Sequence, residues 1–159
     1  MNKKLGFTLI EVLTVVMILA ILTAIALPQY SKSVQRATAA NALINVKTIF
    51  DSAKRFKSTS SHWPTAFNQL DVELADINVN DDNVGVMGEF SYSLSSNDGG
   101  TVSACRTADV AISDNTFCIT AHYLLGGRRD VYTCTYASER FLYLCESLGT
   151  CTGTTCEIR

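Results

Sequence analysis

From Phe7 to Leu27 the chain runs for 21 residues with one charged side chain, Glu11, set among apolar residues and three threonines. A transmembrane helix needs about 20 such residues, so this run is long enough to cross a bilayer. A carboxylate at that depth costs at least about 3 kcal/mol when ionised, which makes Glu11 a candidate functional position. Lys3 and Lys4 precede the run and, by the positive-inside bias, hold the amino end in the cytoplasm. Everything after Leu27 is then expected outside it. An ordinary secretory signal is the competing reading, because Ala24-Ile25-Ala26 has the small-x-small form of a signal-peptidase site. Glu11 within the apolar region, the length of that region and Pro28 just after the cut argue against it. For Glu11 itself the alternative is snorkelling to a nearby headgroup layer, with no partner required.

The order Lys3-Lys4-Leu5-Gly6-Phe7-Thr8-Leu9-Ile10-Glu11 resembles the leader of type IV prepilins and of type II secretion pseudopilins, and Pro28 falls where that family usually carries a helix-kinking proline. The resemblance implies cleavage between Gly6 and Phe7 by a prepilin peptidase, N-methylation of Phe7, and assembly through Phe7, Glu11 and Pro28. It also implies that Glu11 pairs with the new amine of Phe7 on a neighbouring subunit. That chemistry is sound: cleavage would create an ammonium of reference pKa about 8 in the same low-dielectric layer as the carboxylate, so two buried charges become one pair. The partners it implies are other copies of the chain and minor pilins, the peptidase, an inner-membrane assembly platform with its ATPase, an outer-membrane secretin and the inner membrane itself. The place it implies is the inner membrane before assembly and the pilus or cell surface after, or a periplasmic filament for a pseudopilin.

Beyond Pro28 the helical pattern continues as an amphipathic one. Ala39, Leu43, Val46, Phe50 and Ala53 recur at spacings of four and three, while Lys32, Gln35, Arg36, Asn41, Lys47 and Lys54 lie on other faces. Together Phe7 to about Phe56 predict a helix of about 75 Å, with a bend or local melting at Pro28, which lacks a backbone donor. Residues 57–88 are rich in turn formers, with Trp63, Phe67 and Leu70 as expected core plugs. Asp76 to Asn80 begins like a calcium loop, but Asp81 and Met87 occupy the places that want glycine and a bidentate glutamate, so a solvated loop is expected and no metal.

From Glu89 the period falls to two. Phe90, Tyr92 and Leu94 alternate with serines; a turn at Asn97-Asp98-Gly99-Gly100 leads to Val102 and Ala104; Phe117, Ile119, Ala121 and Tyr123 form the next alternation; and Gly126 to Asp130 turns into Val131–Tyr136. Phe141, Leu144, Cys145 and Leu148 share a helical face, with Ser138 as N-cap and Gly149 as stop. The fold class is α+β and pilin-like: a long N-terminal helix packed on an antiparallel sheet whose C-terminal region is closed by disulfides. The expected divisions are residues 1–6 (leader), 7–27 (transmembrane and assembly helix), 28–56 (amphipathic half), 57–88 (helix-to-sheet loop) and 89–159 (sheet with its disulfide-bonded end).

All six cysteines, Cys105, Cys118, Cys134, Cys145, Cys151 and Cys156, fall in the part expected outside the reducing cytoplasm, an even number that argues for disulfides. No C-x-x-C occurs, and His62 and His122 are not placed with the cysteines, which excludes the usual zinc spacings. Six cysteines allow 15 pairings. The sequential one is preferred here, its middle pair Cys134 with Cys145 because the segment up to Ser147-Leu148-Gly149 resembles a disulfide-closed loop in many pilins.

Loss of the leader leaves 11 of the 13 basic residues against 15 acidic ones, a side-chain charge of −4 that offers nucleic acid no general attraction. No hydrolase elbow, phosphate loop or paired-carboxylate arrangement is present, so no enzyme and no cofactor are expected. The reading is a structural pilus subunit. Its alternatives are a type II secretion pseudopilin and, from another class, a secreted disulfide-rich binding domain released after Ala26.

Overall fold

The computed structural model describes residues 8–72, 77–96, 99–106, 117–123 and 130–158. Gly6 and Phe7, and the turns expected at Asn97-Asp98 and Gly126–Arg129, lie outside them. The chain divides into two units, Met1–Ala37 and Thr38–Arg159.

In the first unit every described residue after Thr8 is helical, as the start of helix α1, Leu9–Ser60. Pro28 lies inside this helix, and helical backbone continues on both sides of it. The melting expected there is absent. Proline removes one donor, but the neighbouring turns keep theirs, and Ser31 Oγ donates to the Pro28 carbonyl at 3.0 Å.

In the second unit, one face of α1 carries Ala39, Ala42, Val46, Ile49, Phe50 and Ala53, all buried against the sheet. This stripe is wider than the spacing from Ala39 to Ala53 indicated: Ala42 and Ile49 join it, and Leu43 is only partly buried at its margin. The helix ends four residues past Phe56, at Ser60. Ser61 then adopts a left-handed φ of 62° and donates its N–H to the Lys57 carbonyl at 2.9 Å.

Eight antiparallel strands form one sheet: β1 (Asn78–Asp81), β2 (Val84–Met87), β3 (Phe90–Ser95), β4 (Thr101–Arg106), β5 (Phe117–Tyr123), β6 (Asp130–Tyr136), β7 (Gly149–Thr152) and β8 (Thr155–Ile158). Their spatial order is β1-β2-β3-β4-β5-β6-β8-β7. The sheet therefore begins before Glu89: β1 and β2 lie in the stretch read as connection, and β1 occupies the place of the rejected calcium loop. Phe90, Tyr92, Leu94, Val102, Ala104, Phe117, Ile119 and Ala121 point into the core as their alternation predicted.

After β6 a 3-10 turn at Glu139–Phe141 leads into helix α2, Leu142–Leu148. Ser138 precedes that turn, but its side chain makes no capping bond. Gly149 does not stop the helix through left-handed backbone: its φ is −166°, ordinary extended geometry, and it opens β7. What favours glycine there is space, since a Cβ would collide with the Glu157 carbonyl oxygen of the adjacent strand.

Candidate assembly segment and the bonds that hold the head

Between Thr8 and Ser31, Glu11 is the one charged side chain. The apolar residues around it are uncovered, from Leu9 at 85% exposure to Leu27 at 67%. α1 is long and apolar enough here to cross a membrane. Its hydroxyls are satisfied within the helix: Thr14 donates to the Glu11 carbonyl at 2.9 Å, and Thr23 to the Leu19 and Ala20 carbonyls at 2.9 and 3.1 Å. Such back-bonding lets threonine sit in an apolar layer without a stranded polar group.

Glu11 occupies the first turn of α1, where the unpaired N–H groups favour negative charge. Thr8, just before the helix, bonds to it twice. Its hydroxyl accepts from the Glu11 N–H at 3.4 Å and donates to Glu11 Oε2 at 3.3 Å. The pattern Thr-x-x-Glu is a helix-start signal in its own right, one not read from the sequence. Glu11 thus has a local structural role, while Oε1 has no partner among the described residues. A cation could still approach the carboxylate.

Phe50 and Trp63 stack with ring centroids 5.9 Å apart, Tyr123 lies 5.8 Å from Trp63, and the Lys57 ammonium sits 4.5 Å above the indole. Trp63 and Phe67 are buried and Leu70 packs at the margin, as their apolar character suggested. The chain following Leu70 is tied back to α1 by charge: Arg55 makes two bonds to the Asp71 carboxylate, 2.7 and 2.6 Å, and Ser52, the buried polar residue of this face, donates to Asp71 at 2.5 Å and accepts its N–H at 3.1 Å. Arg55, then Ser52, hold the Asp71 carboxyl well below the usual carboxylate range. Lys54 bridges Asp51 at 2.7 Å and Asp130 at 2.6 Å. Burial pulls its ammonium down, but the bonds to Asp130 and Asp51 outweigh that and leave its pKa raised. The contacts to Asp71 and Asp130 were not legible in the sequence, because both residues lie far along the chain from their partners on α1; Asp51 and Lys54, by contrast, stand three apart on one helix.

The cysteines pair as Cys105–Cys118, Cys134–Cys145 and Cys151–Cys156. The first and last join residues directly opposite each other in β4/β5 and β7/β8. The middle one pins α2 to β6, with both cysteines fully buried. Among the described residues no group of three or more His, Cys, Asp or Glu is arranged to hold a metal.

Comparison with known proteins places the amino-terminal segment in a class first. Residues 1–27 match the family model described as the prokaryotic N-terminal methylation motif, which is the leader and apolar helix singled out above. The chain is also similar to the type IV major pilin protein PilA of Myxococcus xanthus (strain DK1622), with 37% identity over 68 residues. That stretch is 43% of this chain and 31% of the relative, so the chain spans about a third of the curated protein it matches. No solved structure matches the chain.

Proposed function

We propose that this chain is a structural subunit of a type IV pilus, anchored by its N-terminal helix and polymerised through it. The carrying observation is the exposed apolar half of α1 with one carboxylate in its first turn. Such a surface needs lipid before assembly and other subunits after it. In this reading prepilin peptidase cuts between Gly6 and Phe7 and methylates Phe7. Glu11 then accepts the Phe7 ammonium of a neighbouring copy, and Pro28 lies in the packed region. The amino end stays cytoplasmic and the head crosses the membrane. Minor pilins, an ATPase-driven platform and a secretin complete the machinery. The role is structural, not catalytic.

Two experiments test it. Mass spectrometry of the mature chain should find N-methylated Phe7 as the first residue, and Gly6→Val should leave the precursor uncut. An amino terminus at Leu27 would instead indicate a secreted domain. Glu11→Val should insert and be processed normally, because it removes a costly charge, yet give few or no filaments by electron microscopy. Filaments of normal number and length would sink the pairing role and favour snorkelling.

A further inference from the structure

We infer that the Cys105–Cys118 bridge is a thiol–disulfide exchange site of the folded head, one that takes electrons from an external dithiol and closes again on oxidation. The bridges differ in where their sulfurs lie. Along β4 and β5 the inner face belongs to Val102, Ala104, Phe117, Ile119 and Ala121, so Cys105 and Cys118 stand on the opposite face, where both are partly exposed. Cys134 and Cys145 are 0% exposed. Cys151 is partly exposed, but it packs against the core and its partner Cys156 is 0% exposed.

Exchange needs a thiolate that arrives in line with the S–S bond, and it expels the other sulfur as a thiolate. Cys105 and Cys118 are direct partners in adjacent strands, so the approach to Cys105 passes over its β3 partner, Ser91, and the approach to Cys118 over its β6 partner, Thr135. Both side chains are small and polar, and the expelled thiolate is left on a face that meets water. Attack on Cys151 must instead expel Cys156 into apolar surroundings, where a thiolate is disfavoured. Cys134–Cys145 offers no reachable sulfur while α2 packs on β6. The strands do not need the bridge to stay paired, since β4 and β5 are bonded to each other from Thr101 and His122 to Arg106 and Phe117 and are flanked by β3 and β6. After reduction the two thiols therefore remain opposite each other.

That placement selects the reductant. A single thiol that opens the bridge leaves a mixed disulfide facing the second cysteine, which acts at an effective concentration of about millimolar or above and expels it again. A dithiol escapes this return. Its first sulfur bonds to one cysteine and releases the other as a thiolate; its second then attacks the mixed disulfide, and the reagent departs as a cyclic disulfide. The S–S bond of the head is reduced, the dithiol is oxidised, and the dithiol's protons end on Cys105 and Cys118.

The test uses the full chain in mild detergent, treated with dithiothreitol, with glutathione at equal thiol concentration, or with reduced thioredoxin, then quenched with iodoacetamide and mapped by mass spectrometry. Dithiothreitol should label Cys105 and Cys118 together, leaving Cys134, Cys145, Cys151 and Cys156 bridged and Trp63 emission unchanged, and glutathione should label at least about tenfold less. Labelling by thioredoxin as well assigns the site to protein-borne dithiols; labelling by dithiothreitol alone assigns it to small ones. Ser91→Phe with Thr135→Phe covers both approaches with a residue that strands favour and should slow labelling by about tenfold. Rates that do not respond to urea below the unfolding transition separate attack on the folded head from attack on an opened chain. Cys134 and Cys145 labelled first, all six cysteines labelled together, equal labelling by glutathione, or a rate that climbs with urea would overturn the proposal. So would an unslowed double variant that keeps native Trp63 emission. Filaments play no part in the assay, so failure of the pilus reading leaves its result untouched.

Discussion

At Gly100 one added methyl group should be strongly felt. It has φ +85°, a region side chains rarely adopt, and a Cβ there would be driven into the indole of Trp63, against Cδ2, Cε2 and Cε3. Gly88 provides the control: its φ is +59°, and a Cβ would meet nothing within 4 Å. Gly88→Ala therefore carries backbone strain alone, about 1 kcal/mol once the lost freedom of the unfolded chain is offset against it. Gly100→Ala carries that strain and also displaces Trp63 from Phe50, Tyr123 and Lys57. Removing a buried tryptophan altogether costs about 3–5 kcal/mol. Pushing it partly out should cost about half as much, for a total near 3 kcal/mol.

Urea unfolding of the full chain in mild detergent measures both variants. Trp63 is the only tryptophan, so its fluorescence reports the site directly. The expected result is a midpoint for Gly100→Ala well below that of Gly88→Ala at equal slope, with native emission shifted to the red. Equal midpoints with unchanged emission would show that Trp63 does not rest on Gly100, and would refute the packing described for this end of the head.

Three further outcomes can be checked. Replacing Cys134 and Cys145 together by serine opens a loop with a sequence separation of 11 and should cost about 3 kcal/mol, read as a lowered Tm, while peptide mapping should still find the other two bridges. Asp71, with its folded pKa depressed below the ordinary 3.8, contributes stability that is present above about pH 4 and fades as the pH falls further; Asp71→Asn should flatten the acid limb of a stability-against-pH curve, and an unchanged limb would remove Asp71 from that account. Ser61→Gly relieves a left-handed residue after α1 and should raise the unfolding free energy by about 0.5–1 kcal/mol, read as a higher urea midpoint at equal slope; a drop would mean that the serine side chain matters more than the strain.

Signals that are local and regular were legible in the sequence. The apolar run with Glu11, the helical stripe through Phe50 and the alternation of Phe90, Tyr92 and Leu94 each repeat with the period of their element, so burial follows from spacing. β1 and β2 were not legible. Asn78–Asp81 holds one apolar residue, Val79, which is 49% exposed, and β1 becomes a strand because β2 pairs with it and β3 pairs with β2. Pairing between strands is not written in the period of either one.

The C-terminal hairpin was missed for another reason. Thr150-Cys151-Thr152-Gly153-Thr154-Thr155-Cys156-Glu157-Ile158 alternates polar and apolar residues about a turn, and Gly153 has the positive φ, +65°, that such a turn wants. The alternation appears only if the cysteines are counted as apolar side chains. Counted as bridge points alone, they leave a run of threonines that looks like a loop. In the structure Cys134, Cys145 and Cys156 are fully buried, so the same atoms act both as cross-links and as the inner face of β6, α2 and β8. Gly149 does close α2, donating its N–H to the Cys145 carbonyl, but what favours glycine there is room for the Glu157 carbonyl of the adjacent strand as β7 begins at the sheet edge, and not a left-handed turn. In a small disulfide-bonded head, cysteine positions therefore carry two kinds of information at once, and the strand pattern emerges when the packing role is read first.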